Sequence, residues 1–540
     1  MRRERRMARM TSSGRARAFV VMAAAGGYAL ALPPFDHAGL AWLTLVPLLL
    51  VVRTGSPRRA FSCGALYGFA AGWMVTWWLT QAVARYFAAG ILPAALAMSA
   101  AYAVAVAGTF GLFAAGAALL VGDRGTLSSR LIAIPALWTA VEVLRARLLA
   151  QPWALLGYTQ HAHIGLIQIA AVTGVYGVSF LVALGNAALA EALVALRDGR
   201  GPRAACRALA VPAAVIGGVW LVGTAHALRG PDGGFAAQPV AVVQTGVPPA
   251  FHWTRSYAEK QLLAHLRATE ELPLDGGPAL IVWPENALTL YLESEPLVAH
   301  QLARLATRHR ADLLLGGPRW EDGHTFNSAR LLRASGESGG HYDKQRLVLF
   351  AESGPLAAPA PETADESPRA FTAGSVPGVL QSFVPLGVSI CHEILYPDLI
   401  GRAVRAGASL LVNIANDGWL DGGYGVASRQ HFAMAVFRAV ETRRYLVRAA
   451  TTGISGIVDP FGRVVDTIAP GSVGTATAVV AARGELTPYV RLGDAFALLC
   501  LLHAAALVAA TLAAAPGAQA PAATPPLPRE AVAATKRRAA

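Results

Sequence analysis

Long apolar runs bound what this 540-residue chain can fold into. Residues 18–228 and 492–514 are built largely from Ala, Leu, Val and Gly, in stretches as long as 90–122, whereas residues 238–482 carry charges throughout and only short apolar segments. About 20 apolar residues already cross a bilayer. A soluble fold has no way to bury so many such segments, so the chain reads as an all-α membrane bundle carrying one water-facing domain. The runs place eight transmembrane helices, at 18–32, 38–52, 61–83, 90–121, 131–149, 174–196, 208–228 and 492–514. An arginine cluster ahead of the first run also fits a cleaved signal peptide. Pro33-Pro34 and a second apolar run follow instead of a polar mature start, so the segment is read as helix one.

The net charge of +13 raises the question of a nucleic-acid partner, and the placement of the charges excludes it. Arg2, Arg3, Arg5, Arg6, Arg9, Arg15 and Arg17 precede the first run, and more basic residues fill the short connections 53–59, 122–130 and 197–207. The connections 33–39, 84–90 and 148–163 contain only Arg85. Lys and Arg in short loops mark the cytoplasmic side. The basicity is therefore topological. Splitting 90–121 into two helices would move Arg124 and Arg130 to the outer face, so that run is read as one long or tilted helix. The expected organisation is a basic cytoplasmic N-terminus (1–17), seven helices (18–228), an outward-facing domain (229–490), an eighth helix (491–514) and a disordered, Ala/Pro-rich cytoplasmic tail (515–540).

Within the water-facing domain, strand-like runs recur at Val240–Gln244, Leu280–Trp283, Asp312–Gly316, Phe326–Leu332, Gly387–Ile390 and Ser409–Asn413, with helical patterns at 254–271, 294–309 and 428–444. Such alternation predicts an α/β sheet with helices on its faces. Reactive groups in that architecture collect where strands end. Leu280–Trp283 runs into Pro284-Glu285, Gly387–Ile390 into Cys391-His392-Glu393, and Tyr342-Asp343-Lys344 precedes another apolar run. Taken singly, a Glu after Trp-Pro is ordinarily a solvated turn residue, a Lys a surface charge and a strand-end Cys part of the core. Four cysteines, Cys63, Cys206, Cys391 and Cys500, make neither a disulfide framework nor a metal cluster. Three of them lie in or beside apolar spans, which leaves Cys391 as the domain's one thiol.

The three words occur together and in order: Trp-Pro-Glu at 283–285, Tyr-Asp-Lys at 342–344 with Glu352 eight residues on, and Ile-Cys-His-Glu-Ile at 390–394. They resemble the Glu-Lys-Cys constellation of the nitrilase superfamily. Joined to seven spans before and one after, the chain resembles the apolipoprotein N-acyltransferases of the bacterial inner membrane. Further words carry the likeness: Gln151-Pro152-Trp153, Gly174-Val175-Tyr176-Gly177, Asn416-Asp417-Gly418-Trp419 and Asp459-Pro460-Phe461-Gly462. The likeness runs from about 18 to 514. Departures are His392 where the family has Tyr, Leu349, Ala351 and Ser353 where it has Pro, Gly and Tyr, and Gly418 where Ala is usual.

The resemblance implies a nitrilase-like α-β-β-α sandwich in the periplasm of a multi-pass inner-membrane protein that acts as a monomer without metal or other cofactor. It implies an acyl donor, a membrane phospholipid, and an acyl acceptor, the N-terminal amine of a diacylglyceryl-cysteine lipoprotein. The chemistry of the residues agrees. A free thiol has a pKa of about 8.5 and needs a neighbouring base or cation before it attacks. Glu285 is the expected base and Cys391 the nucleophile. Lys344 is expected to hold the oxyanion, with the backbone N–H after Cys391. Glu352 and Glu393 are expected to position Lys344 and the incoming amine. Trp253 and Trp419 fall where the family lines its lipid site. His392 is the lesser alternative as base, because neighbours at a strand end diverge. A membrane-tethered amidase using the same triad with water is the competing enzyme. A transporter requires ionisable residues inside its spans, and Glu142 and Glu191 are the main ones present.

Overall fold

The computed structural model describes residues 14–513 except 54, 122–125, 231–233, 251–252, 350, 355–369 and 422–424. The tail expected from 515 and most of the basic N-terminal segment lie outside the described residues.

The first part of the chain is helical: α1 (Gly14–Leu30), α2 (Val46–Val52), α3 (Pro57–Thr76), α4 (Trp78–Tyr86), α5 (Ile91–Leu120), α6 (Leu127–Leu148), α7 (Val175–Arg197) and α8 (Pro202–Leu228). Among the described residues, α5 to α8 and a last helix, Ala495–Ala513, are long and apolar enough to cross a membrane. The remaining three expected spans are shorter or broken. Of the expected span 18–32, residues 18–30 fall in the 17-residue α1, and 31 and 32 lie in the turn after it. The run 38–52 divides into a 3-10 turn at Ala38–Trp42 and the seven-residue α2, where Pro47 has no N–H to join them. The run 61–83 is shared by α3 and α4, which part at Trp77. By contrast 90–121 is one helix, with a π-helical turn at Ala103–Ala107 absorbing an extra residue.

Small residues let these helices approach. A Cβ on Gly64 would overlap the carbonyl oxygen of Phe110, so α3 and α5 touch backbone to backbone there. Several polar side chains inside the bundle find partners there, as a low-dielectric interior favours. Asn186 donates to the Ala41 carbonyl (2.9 Å) and accepts from the Leu45 N–H (2.9 Å). Glu191 pairs with Arg130 at 3.0 Å, and Glu142 accepts from the Leu156 N–H at 2.7 Å.

The domain that follows holds two six-stranded sheets. The strands are β1 (Phe235–Gln244), β2 (Leu280–Val282), β3 (Asp312–Glu321), β4 (His324–Leu332), β5 (Ser338–Asp343), β6 (Val379–Gln381), β7 (Pro385–Ile390), β8 (Leu410–Ala415), β9 (Leu446–Ala450), β10 (Ser455–Val458), β11 (Val464–Ile468) and β12 (Gly474–Ala482). The spatial orders are β12-β1-β2-β3-β4-β5 and β11-β10-β9-β8-β7-β6. The central pairs β1-β2-β3 and β7-β8-β9 are parallel.

Alternate residues point to opposite faces of a strand, and here the two faces have different partners. Val240, Val242, Leu280, Val282 and Leu314 meet Val388, Ile390, Val412 and Ile414 between the sheets. Ala241, Val243, Ile281, Leu313 and Leu315 turn away from that layer, onto α9 (Arg255–Glu270) and α10 (Pro296–His309). The second sheet is covered by α11 (Pro397–Arg405) and α12 (Val426–Thr442), completing a four-layer sandwich.

Helix α12 is buried along its whole length apart from Arg429. Its other side belongs to the bundle: Phe437 packs edge-on against Tyr158 with ring centroids 5.1 Å apart. Gln430 donates to the carbonyls of Pro33 (3.0 Å) and Val75 (2.9 Å), and Glu441 accepts from the Val175 N–H at 3.0 Å. One core therefore runs from the membrane helices into the sandwich. That continuity seats the domain in a single orientation on the helices.

Candidate active site

The sandwich gathers the chemistry-bearing words at one end of its strands. Glu285 follows β2, Lys344 follows β5 and Cys391 follows β7. All three are buried, with Lys344 1% and Cys391 2% exposed. Cys391 begins a 3-10 turn (Cys391–Leu395) with φ of +55°, a left-handed conformation that a non-glycine residue adopts only when its surroundings impose it. Such a kink turns the side chain out of the strand and into the space between neighbouring loops.

The Lys344 ammonium lies 3.1 Å from Glu285 Oε1 and 2.8 Å from Glu352 Oε1. Asn327 on β4 donates to the same two oxygens, at 2.8 and 3.0 Å. The second oxygen of Glu285 accepts from the Asn416 N–H at 2.8 Å, and that of Glu352 from the Val348 N–H at 2.8 Å. Both carboxylates are thus fixed in orientation. Burial alone would lower the Lys344 pKa, but Glu285 and Glu352 raise it well above the ordinary value, so the ammonium stays charged. Burial pushes the Cys391 thiol well above its usual range and Glu285 adds to the rise, while Lys344 opposes them. A thiol held protonated in this way attacks only as a base removes its proton.

Glu393 is fully buried and saturated. It accepts from Tyr342 Oη (2.9 Å) and from the backbone N–H groups of Gln345 (2.7 Å), Arg346 (3.0 Å) and Ile390 (2.7 Å). It therefore ties the Lys344 loop to the Cys391 turn through the backbone. Enclosed and with its oxygens occupied by these donors, Glu393 is placed to position its neighbours through the backbone that it holds. His392 turns its ring edge-on to Tyr396, centroids 5.8 Å apart. Burial, followed by the nearby Lys344, His431 and Arg346, holds its pKa well below the ordinary imidazole value. Trp419 sits in the short helix Gly418–Asp421 and packs with Trp78, Leu79 and Trp153 of the bundle, at the seam between domain and membrane helices. Trp253 stands half-buried just before α9, beyond Phe251 and His252, which are outside the described residues.

Several contributors had little or no sequence signal. Asn327 is one of several polar residues of β4, beside Thr325, Ser328 and Arg330, and nothing in the pattern singles it out. Arg448 on β9, fully buried, bonds Asn413 and reaches Asp417 at 2.7 Å. Asn413 in turn donates to the Cys391 carbonyl at 3.2 Å, and Asp417 accepts from His431 Nδ1 at 2.9 Å. Asp417 adjoins the Asn416 N–H that orients Glu285. One buried arginine thus braces both the nucleophile's turn and the loop behind the carboxylate. Burial would raise Asp417, but Arg448 and His431 hold it below the usual carboxylate range. Asp417 was visible in the Asn416–Trp419 word; His431 and Arg448 were not. From the bundle, Tyr86 donates to the Ala351 carbonyl and so anchors the loop that carries Glu352.

Residues 24–188 match the apolipoprotein N-acyltransferase N-terminal domain, and residues 239–489 match the carbon-nitrogen hydrolase domain. An apolipoprotein N-acyltransferase of Geobacter metallireducens is 36% identical over 511 residues, covering 91% of this chain and 94% of the relative. The chain belongs to the apolipoprotein N-acyltransferase family. Another member, from Methylococcus capsulatus, is 32% identical over 88% of this chain and 92% of its own length. Among solved structures, an amidase of the nitrilase superfamily from Nesterenkonia AN1 is 19% identical, with a TM-score of 0.35 over 47% of this chain and 92% of the amidase. The alignments with both relatives run through both parts of this chain, the helical bundle and the carbon-nitrogen hydrolase domain.

Proposed function

We propose that this chain transfers a fatty acyl group from a membrane phospholipid, by way of a thioester on Cys391, to the N-terminal amine of a diacylglyceryl-cysteine lipoprotein. Family membership makes it an acyltransferase of lipoprotein maturation. The observation that carries the residue assignment is the closed Glu285–Lys344–Glu352 cluster beside the buried thiol.

In the first half-reaction Glu285 takes the Cys391 proton as sulfur attacks the ester carbonyl. The carbonyl oxygen becomes an oxyanion held by Lys344 and the backbone N–H of His392, each well-placed donor being worth about 3–4 kcal/mol. Collapse expels the lysophospholipid alkoxide, which recovers the proton from Glu285, and leaves a thioester. In the second, the lipoprotein amine attacks the thioester carbon, Glu285 takes a proton from nitrogen, and the thiol leaves as the amide forms. Trp419 and Trp253 are assigned to the wall of the lipid path. Purified protein incubated with phospholipid and weighed intact is expected to gain one acyl mass, mapped to Cys391. No covalent adduct under conditions of turnover would overturn the thioester.

We further assign residues 229–490 to the periplasm, with eight spans in the inner membrane and the enzyme acting as a monomer. The warrant is the bias of basic residues toward the connections 53–59, 122–130 and 197–207. Ser335, exposed in the turn between β4 and β5, offers a conservative reporter. With Cys63, Cys206 and Cys500 replaced by alanine, Ser335→Cys is expected to react with a membrane-impermeant maleimide in intact spheroplasts, above the background of the parent. Labelling confined to lysed cells would reverse the topology.

A further inference from the structure

At the other end of α12 a groove of about 700 Å³ opens between α8, Gln168, Ile169 and the short helix Ala170–Thr173, and the segment 485–488. This volume falls within the roughly 300–1,000 Å³ typical of small-ligand sites. One wall is a single face of α8, on which Ala214, Gly218 and Val222 follow at intervals of four and lead to His226. At 1.5 Å per residue that face is about 18 Å long, the reach of one fatty acyl chain. Val172, Val215 and Val222 are exposed along it, as expected of a surface that faces lipid.

The groove is apolar along its length and basic at its end. Arg443 lines the mouth, held by Gln168 Oε1 at 2.6 Å and the Pro460 carbonyl at 3.0 Å. Arg483 and Arg229 lie close enough to act on His226. One guanidinium nitrogen of Arg483 is enclosed and without a hydrogen-bond partner. Against these stand Glu485, the one acidic side chain on the lining among the described residues, and Asp459, which is engaged by the backbone N–H groups of Phe461 and Arg463. Basic side chains at a membrane surface attract anionic headgroups. Arg443 caps the C-terminal end of α12, twelve residues beyond the His431 that bonds Asp417, so about 18 Å of helix separates this groove from the candidate active site.

We infer that this groove is a second lipid site, which takes one anionic phospholipid with a chain along α8 and its phosphate at Arg443, Arg483 and His226. The lipid fills the angle where the last helix before the domain meets the domain's C-terminal segment, and it steadies the seat of the sandwich on the bundle. The inference rests on reading α8 as a membrane span and is independent of the chemistry at Cys391.

Gly218 supplies a clean test, since a Cβ there meets nothing within 4 Å, so a larger side chain fills the groove without disturbing the fold. Full-length protein carrying Cys391→Ala, which cannot consume lipid, is delipidated and presented with dioleoyl phosphatidylglycerol or dioleoyl phosphatidylethanolamine in native mass spectrometry. Phosphatidylglycerol is expected to be retained at collision energies that strip phosphatidylethanolamine. Gly218→Phe and Arg483→Gln are each expected to cut that retention about tenfold while the thermal melt of the delipidated protein is unchanged. Equal retention of the two lipids, or phosphatidylglycerol retained by both variants as by the parent, would overturn the site. Because binding is read without acyl transfer, failure here leaves the thioester proposal untouched, and the converse holds.

Discussion

Cys391→Ala is expected to abolish both the acyl adduct and turnover while leaving the protein folded. In the proposed mechanism the thiol stores the acyl chain, and no other cysteine stands in its place: Cys63, Cys206 and Cys500 lie in α3, α8 and the last helix. Removing one sulfur from a buried turn leaves a small cavity, worth about 1 kcal/mol or somewhat more. The contacts that hold the turn remain, since Asn413 bonds the Cys391 carbonyl and Glu393 bonds the Ile390 N–H. Loss of function without loss of the thermal transition therefore isolates the chemistry. Turnover at a tenth of the parent rate by Cys391→Ala would show that catalysis is not covalent at this position.

Glu285→Gln is expected to slow single-turnover acylation by about a hundredfold or more, the scale of a lost general base. The substitution keeps the size of the side chain, and Lys344 keeps an ion pair through Glu352 at 2.8 Å. The amide still offers an oxygen to Asn327 but cannot accept the thiol proton. His392→Tyr is expected to cost little, because His392 packs on Tyr396 and its pKa lies well below that of an ordinary imidazole. Acylation that survives Glu285→Gln and fails with His392→Tyr would move the base to His392.

The apolar layers of the sandwich were legible because β1, β2, β3, β7 and β8 are rich in Val, Ile and Leu and end in recognisable words. Strands β5 and β12 were not, since Ser338–Asp343 and Gly474–Ala482 are rich in Gly, Ala and Thr and take their conformation from their neighbours in the sheet. β9 hides a fully buried Arg448, which a binary pattern counts as surface. Its burial is possible only because Asp417 and Asn413 meet it, and that meeting is tertiary. The apolar runs marked the membrane helices but not their breaks at Trp77 and Pro47, which depend on packing within the bundle. Around the candidate site, the positions after strands pointed to Glu285 and Cys391. The bridging role of Asn327 and the inward turn of Glu393 follow from how loops from both sheets converge. α12 was legible as a helix, but its burial on both sides required knowing that the domain sits on the bundle.

The central claim is that the thioester awaits an amine rather than water. Lys344 and Cys391 are almost wholly enclosed, and Trp78, Trp153 and Trp419 close the seam with the bundle. In the proposed mechanism an acceptor anchored in the same leaflet gains an effective concentration that water, reaching so enclosed a thiol, does not match. The most direct measurement is the fate of isolated acyl-Cys391 enzyme. It is predicted to persist for many minutes in buffer and to be discharged quickly by a diacylated lipopeptide with a free N-terminal amine, but not by its N-acetylated form. Rapid release of free fatty acid at a rate indifferent to the lipopeptide would contradict the account and establish a hydrolase.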